Sequence, residues 1–182
     1  MSVTPSRRII LIAHNLRSCH NVGSLLRTAE GLGVERVYLT GYTPYPLQQA
    51  DGRAPISDGR LPHIATKLHS QIQKTALGAE TFLDWRHETE IDLVLNELRA
   101  DGWHLAAVEQ SPDSTLLPGF RPPAKLALLV GREVEGVEPA ILAAMDIVLE
   151  IPMGGRKESF NVVQAAAMAL YHCTLMNKED AL

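Results

Sequence analysis

Five short runs of largely apolar residues constrain the fold of this chain more than any other feature of its sequence. Each run holds four or five residues and is rich in valine, isoleucine, leucine or alanine. Such runs are typical of strands buried on both faces of a parallel sheet, because a half-exposed strand would alternate apolar and polar residues. The predicted strands are residues 9–13, 37–40, 105–108, 126–130 and 147–151.

Helix-like stretches separate most of these runs. Residues 21–32 carry apolar side chains at helical spacing and end among glycines, and residues 91–98 repeat that pattern. Residues 159–176 form the longest candidate helix, for which Ser159 is the predicted N-cap. Strands that alternate with helices predict an α/β fold with a mainly parallel sheet flanked by helices.

Length and composition predict one soluble domain. A chain of 182 residues with 46% hydrophobic composition can bury one core, so we expect residues 1–182 to form a single domain. The first apolar run is too short for a signal sequence or a membrane span, and two cysteines suit a reducing compartment. We therefore expect a cytoplasmic protein with no membrane partner. The net charge of -4 argues against nucleic-acid binding by bulk positive field, but it does not exclude RNA.

Residues 41–61 hold six prolines and glycines, too many for a regular helix or strand. Loops longer than about 12 to 15 residues inside a compact domain are usually functional or disordered. We interpret this segment as a candidate substrate-contacting loop.

A first cluster of candidate functional residues follows the first predicted strand. Asn21 precedes Arg27 by less than two helical turns, so both side chains can reach one end of the sheet if the helix begins at Asn21. On its own, this pattern is better explained by an N-cap asparagine followed by a surface arginine.

Two glycine-containing loops follow the last two predicted strands. Gly131, Glu133 and Gly136 form a turn at the carboxyl edge of the sheet, where open α/β sheets bind ligands. Alone, that turn is weak evidence for a site. Ser159 and Asn161 stand behind two glycines at a helix start, where they could contact a phosphate, carboxylate or hydroxyl group. One residue is enough to cap a helix, so capping alone does not explain both.

These three clusters, in this order and at these separations, resemble the three motifs of the SpoU (TrmH-like) branch of the SPOUT methyltransferase superfamily. The similarity runs from about residue 9 to residue 171. The residues that carry it are Asn21, Arg27, Gly131, Glu133, Gly136, Ile151, Pro152, Met153, Ser159, Phe160, Asn161 and Val162.

The resemblance implies an S-adenosylmethionine-dependent RNA methyltransferase that acts on a ribose 2′-hydroxyl without a metal. It also implies a homodimer and a SPOUT fold with a deep C-terminal trefoil knot. The alanine-rich face of the last helix is the expected dimer contact. The implied cofactor-binding residues are Val108, Gly131, Ile151, Met153, Ser159 and Phe160. The implied catalytic residues are Arg27, Asn21, Glu133, Ser159 and Asn161.

The implied roles follow from the chemistry of methyl transfer to oxygen. Arg27 would bind the neighbouring phosphate and stabilise the developing alkoxide, since a guanidinium is a poor base. Asn21 would orient Arg27 or the ribose, and Glu133 would anchor Arg27 or a motif loop. Ser159 and Asn161 would fix the catalytic loop and the substrate.

Three alternatives stay open at this point: an RNA-binding SPOUT protein without catalysis, a nucleotide-binding α/β protein of another class, and a SPOUT enzyme that methylates a base nitrogen. The absence of Gly-x-Gly-x-x-Gly and of a P-loop lysine disfavours the second. SPOUT enzymes that methylate a base generally use other residues in place of the first-motif arginine, so by the resemblance Arg27 favours ribose over base. Family members of this size act on tRNA, and those with an added amino-terminal RNA-binding domain often act on ribosomal RNA. The chain has little length for such a domain before the first strand, so the resemblance implies tRNA as the substrate.

Overall fold

The computed structural model describes residues 7–48 and 58–175, which form a sheet of seven strands covered by helices. The strands are β1 (Arg8–His14), β2 (Arg36–Thr40), β3 (Trp85–Glu88), β4 (His104–Val108), β5 (Thr115–Leu116), β6 (Lys125–Val130) and β7 (Ile147–Glu150). Their order is β3-β2-β1-β6-β4-β7-β5, and each neighbouring pair is parallel. The predicted fold class is therefore confirmed. The trefoil knot stays a prediction.

The helices pack on both faces of the sheet. They are α1 (Cys19–Gly31), α2 (Pro62–Ala76), α3 (Ile91–Ala100), α4 (Pro139–Leu142) and α5 (Val162–Leu175). On one face, Ile72 of α2 and Leu170 of α5 join Leu11 of β1 in a buried cluster. On the other face, Leu95 of α3 packs with Ile12 of β1. Consecutive residues of β1 thus enter opposite cores, which explains its uninterrupted apolar run.

The predicted N-cap at Ser159 is wrong. Helix α5 begins after Asn161, whose side-chain Oδ1 accepts a 2.9 Å hydrogen bond from the backbone N–H of Val163. Helix α1 likewise begins before Asn21, because Ser18 Oγ accepts a 3.2 Å hydrogen bond from the N–H of Asn21. Several neighbouring polar residues could satisfy the free N–H groups of a first turn, so sequence alone does not identify the cap.

The alanine-rich face of α5 is not free for a dimer contact at two of its positions. Ala166 and Ala169 are buried in the protein's own core, with at most 1% of their surface exposed. The exposed apolar side chains of this helix are instead Tyr171 and Leu175. These two lie one helical turn apart on the surface.

Residues 41–48 and 58–61 contain no helix or strand, which confirms the predicted loop for those positions, and residues 49–57 lie outside the described residues. Arg60 holds this region in place by donating a 2.7 Å hydrogen bond to the carbonyl oxygen of Tyr45. The Arg60 guanidinium covers one face of the Tyr45 ring, and His87 stacks on the ring at 3.8 Å between centroids. Both faces of the Tyr45 ring are therefore covered within the protein, whereas Tyr42 is half exposed.

Across the described part of the chain, no helix combines the length and the apolar character that crossing a membrane requires.

Candidate functional site

The three motif segments meet at the carboxyl edge of the sheet. Strand β1 leads into α1, β6 leads into residues 131–136, and β7 leads into residues 151–161. Strands β6, β4 and β7 are adjacent and parallel, so the segments that follow them leave the sheet on the same side. This is the edge at which open α/β sheets form ligand sites.

A cleft of about 120 Å³ opens between these segments. Its lining combines apolar side chains, glycine backbone and carboxylates. It includes all six residues that the resemblance implied for cofactor binding, namely Val108, Gly131, Ile151, Met153, Ser159 and Phe160. Glu133 also lines the cleft, whereas Asn21, Arg27 and Asn161 lie outside the lining.

A chain of hydrogen bonds joins the three motifs beside this cleft. The side-chain amide of Asn161 donates to Asn21 Oδ1 at 3.5 Å, and the amide of Asn21 donates to Glu133 Oε1 at 3.0 Å. The carboxylate of Glu133 also accepts hydrogen bonds from the backbone N–H groups of Arg17 and Ser18, at 3.4 and 3.3 Å. Glu133 therefore anchors the segment that leads into α1.

These contacts determine the protonation state of Glu133. Burial by itself would raise the pKa of its carboxyl group, but the hydrogen bonds from Asn21 and from backbone N–H groups outweigh burial and lower the pKa below its usual value. A carboxylate that accepts several N–H groups is stabilised in its charged form. Glu133 is thus a fixed negative charge at the cleft.

Arg27 is exposed on α1, six residues after Asn21. Within residues 7–48 and 58–175, it forms no hydrogen bond or ion pair, and Glu133 contacts Asn21 rather than Arg27. Its guanidinium is therefore available to an external group. Ser159 is also exposed and has no hydrogen-bond partner in the described part of the chain.

Gly131 is required by the turn itself. A Cβ at this position would lie 2.6 Å from Val137 Cγ2 and 2.8 Å from the carbonyl carbon and oxygen of Gly136. Arg132 and Gly136 exchange two backbone hydrogen bonds of 3.2 Å, which close the turn directly above Gly131. The absence of a side chain here serves packing within the protein as well as access to the cleft.

A polar cluster behind this turn was missed by sequence reasoning. Arg132 donates a 2.6 Å hydrogen bond to Glu138, and Asn15 donates to the same oxygen at 3.1 Å. His14, 5% exposed, lies 3.7 Å from the other oxygen of Glu138, and burial lowers its pKa. His14 and Asn15 end strand β1, but nothing in their local sequence pairs them with residue 138. Among the described residues, no group of histidine, cysteine, aspartate and glutamate side chains is arranged to hold a metal ion.

The sequence that forms most of this site matches a known protein family. A model of the SpoU rRNA methylase family matches residues 60–171, which include β4, β6, β7 and both glycine-containing loops. The chain belongs to the SpoU rRNA methylase family. The segment with Asn21 and Arg27 precedes the matched region, and the hydrogen bond from Asn21 to Glu133 joins it to that region.

Two proteins that this chain resembles methylate different RNAs. The chain is 28% identical over 167 residues to the 23S rRNA (guanosine(2553)-2′-O)-methyltransferase of Bacillus subtilis, covering 91% of this chain and 57% of that protein. It is 23% identical over 163 residues to the tRNA (guanosine(18)-2′-O)-methyltransferase of Borreliella burgdorferi, covering 86% of this chain and 75% of that protein.

A crystal structure of an AdoMet-bound rRNA methyltransferase from Sinorhizobium meliloti has the same fold. It superposes with a TM-score of 0.74 at 19% identity and covers 91% of this chain. The present chain spans 55% of that structure and 57% of the Bacillus subtilis relative, so it matches only about half the length of each.

Proposed function

We propose that this SpoU family member is an S-adenosylmethionine-dependent RNA 2′-O-ribose methyltransferase that acts in the cytoplasm and prefers tRNA. The observation that carries the proposal is the linked arrangement of the three motifs. One cleft gathers the six implied cofactor residues, and the chain of hydrogen bonds through Asn161, Asn21 and Glu133 ties that cleft to the helix that bears Arg27.

The cleft has the chemistry to hold S-adenosylmethionine, which supplies the methyl group and a positively charged sulfonium. Val108, Ile151 and Phe160 offer apolar surface for a nucleoside, and Phe160 is 37% exposed. The Glu133 carboxylate places a negative charge in the same cleft. The positively charged sulfonium is more stable in a partly buried site when a negative charge lies close to it.

In this proposal Arg27 binds the RNA. Its exposed guanidinium holds the phosphate next to the target ribose and stabilises the oxygen as its proton leaves. Asn21 and Glu133 fix the start of α1. They therefore also determine the position of Arg27, which lies six residues further along this helix. Asn161 supports Asn21 and caps α5, while the exposed Ser159 in the cleft lining contacts the ligand.

The preference for tRNA rests on the relatives. The Borreliella tRNA methyltransferase is matched over 75% of its length, whereas the Bacillus 23S rRNA methyltransferase is matched over 57%. The part shared with this chain therefore makes up more of the tRNA-modifying relative. We also propose that the protein forms a homodimer, in which the exposed Tyr171 and Leu175 of α5 lie at the subunit contact.

The test is methyl transfer by the purified chain. Incubation with radiolabelled S-adenosylmethionine and either total tRNA or ribosomal RNA, followed by digestion to nucleosides, should yield a labelled 2′-O-methylnucleoside, with more label from tRNA. Label in a base would contradict the ribose assignment. RNA binding without transfer would instead support a non-catalytic RNA-binding protein.

A further inference from the structure

Two residues at the end of β4 lie between the two loops that form the walls of the cleft. Glu109 and Gln110 directly follow Val108, and both line the cleft. Neither carries a motif that sequence reasoning could recognise. Each contacts a different wall: residues 131–137, here the first wall, and residues 153–160, here the second wall.

Glu109 holds the first wall. Its carboxylate accepts a 3.0 Å hydrogen bond from the backbone N–H of Val137 and a 2.9 Å hydrogen bond from the N–H of Gln110. The carboxylate also fills the space beside Gly136, where φ is +70° and an added Cβ would lie 2.3 Å from Glu109 Oε2. The turn is thus attached to strand β4 as well as closed on itself.

Gln110 holds the second wall. Its side-chain Nε2 donates a 2.7 Å hydrogen bond to the carbonyl oxygen of Glu158, which is 48 positions away in sequence. In residues 7–48 and 58–175, no other hydrogen bond ties residues 153–160 to the rest of the protein. Within the described residues, Gln110 is therefore the hydrogen-bonded attachment of this wall.

We propose that Glu109 and Gln110 are positioning residues that hold the two walls at a fixed separation and so preform the cleft. Glu109 acts on the first wall and Gln110 on the second. The consequence for ligand affinity rests on the proposed function, because it takes S-adenosylmethionine as the ligand of this cleft. The mechanical role does not depend on it. A preformed site binds more tightly, since less ordering remains for the ligand to impose.

Limited trypsin digestion of the ligand-free protein tests the mechanical role. Arg156 and Lys157 are exposed in the second wall and give trypsin two sites beside Glu158. Gln110→Met removes the donor at similar length, and cleavage at these sites should become about threefold to tenfold faster, the range expected for losing one hydrogen bond. Gln73→Met, an exposed position on α2, is the matched control and should leave the rate unchanged.

Unchanged cleavage in Gln110→Met would overturn the proposal, provided that its melting temperature equals that of the wild type. Gln110→Ala serves as a second variant if Gln110→Met folds poorly, and the same increase is expected. Glu109→Gln leaves the hydrogen bond from Gln110 to Glu158 in place, so its cleavage at Arg156 and Lys157 should match the wild type. Fast cleavage in Glu109→Gln would show that the two residues do not act on separate walls.

Calorimetric titration with S-adenosylhomocysteine then links the walls to the ligand. Gln110→Met and Glu109→Gln should each bind about threefold to tenfold more weakly than the wild type. If the wild type fails to bind while Gln110→Met is cleaved faster, the proposed function is wrong and the mechanical role stands. If the wild type binds and both variants bind equally well, the walls do not preform the cleft.

Discussion

The side-chain amide of Asn21 donates a 3.0 Å hydrogen bond to the carboxylate of Glu133, across 112 positions of sequence. This contact joins the start of α1 to the turn after β6. Because Arg27 lies on α1, its position relative to the cleft depends on Glu133, although no hydrogen bond or ion pair joins these two side chains. Together with the hydrogen bond from Asn161 to Asn21, this contact makes the three motifs one structural unit.

Replacing Arg27 should separate RNA chemistry from cofactor binding. Arg27→Ala is expected to slow single-turnover methyl transfer by on the order of 100-fold to 1,000-fold, the usual cost of losing one preorganised donor. Arg27→Lys should restore little, because a lysine lacks the planar fork of the guanidinium. Affinity for S-adenosylmethionine should change by less than about tenfold, since Arg27 lies outside the cleft lining.

The matched control for Arg27 is Arg86→Ala. Arg86 is exposed on the edge strand β3, several strands away from the cleft. This variant should transfer methyl groups at close to the wild-type rate. Near-normal transfer by Arg27→Ala would show that the active site is assigned wrongly.

Glu133→Gln should lower stability in a pH-dependent way. The pKa of Glu133 in the folded state lies below its ordinary value of 4.5, so the carboxylate stabilises the fold above that pH and the contribution is lost as pH falls through the folded-state pKa. Urea unfolding should show the variant about 1 kcal/mol less stable between about pH 5 and 7. The difference from the wild type should shrink below about pH 4.5.

The same experiment on Asn21→Ala and on the double variant tests the contact directly. Asn21→Ala removes this hydrogen bond and Glu133→Gln weakens it by removing the charge of the acceptor, so their losses should not fully add in the double variant. Fully additive losses, or a Glu133→Gln loss that stays constant down to pH 3.5, would contradict the assigned role of the pair.

Gly131→Ala should destabilise the turn and not only obstruct the cleft. Its Cβ would meet Val137 and the backbone of Gly136 at less than 3 Å, so we expect a loss of about 1 to 3 kcal/mol in unfolding free energy. Gly154→Ala is the control, because an added Cβ there has no atom within 4 Å. Its stability should stay within about 0.5 kcal/mol of the wild type. If both variants are equally stable, the turn can accommodate a side chain at residue 131, and the prediction is wrong.

The proposed dimer should be sensitive to Tyr171, which is 61% exposed on α5. Sedimentation of the wild type should give about twice the chain mass of 19.9 kDa, and Tyr171→Asp should give the monomer mass, since a carboxylate in an apolar contact is costly. Leu93→Asp, at a position 58% exposed on α3 across the sheet, should stay dimeric. A wild type that is monomeric at micromolar concentration and still methylates RNA would contradict this proposal.

The sequence by itself determined the elements whose signal is local. Residues 9–13 and 126–130 are apolar at every position because both faces of a central strand are buried, and β1 and β6 contain them. Helix α2 escaped detection because its buried face consists of Ala65, His69, Ile72 and Ala76, of which one is strongly apolar. Strand β3 escaped because it lies at the sheet edge, where polar residues are tolerated.

Only the tertiary structure decided how the site is assembled. The pairing order of the strands brings residue 110 to residue 158 and residue 21 to residue 133, and short apolar strands carry little information about their neighbours. The local sequence pattern likewise could not assign the capping role to Asn161 rather than Ser159. Which residue caps the helix depends on the path of the preceding loop, because that path sets the position at which α5 begins. The candidate residues were therefore readable from the sequence, whereas their contacts follow from long-range packing, which local periodicity does not encode.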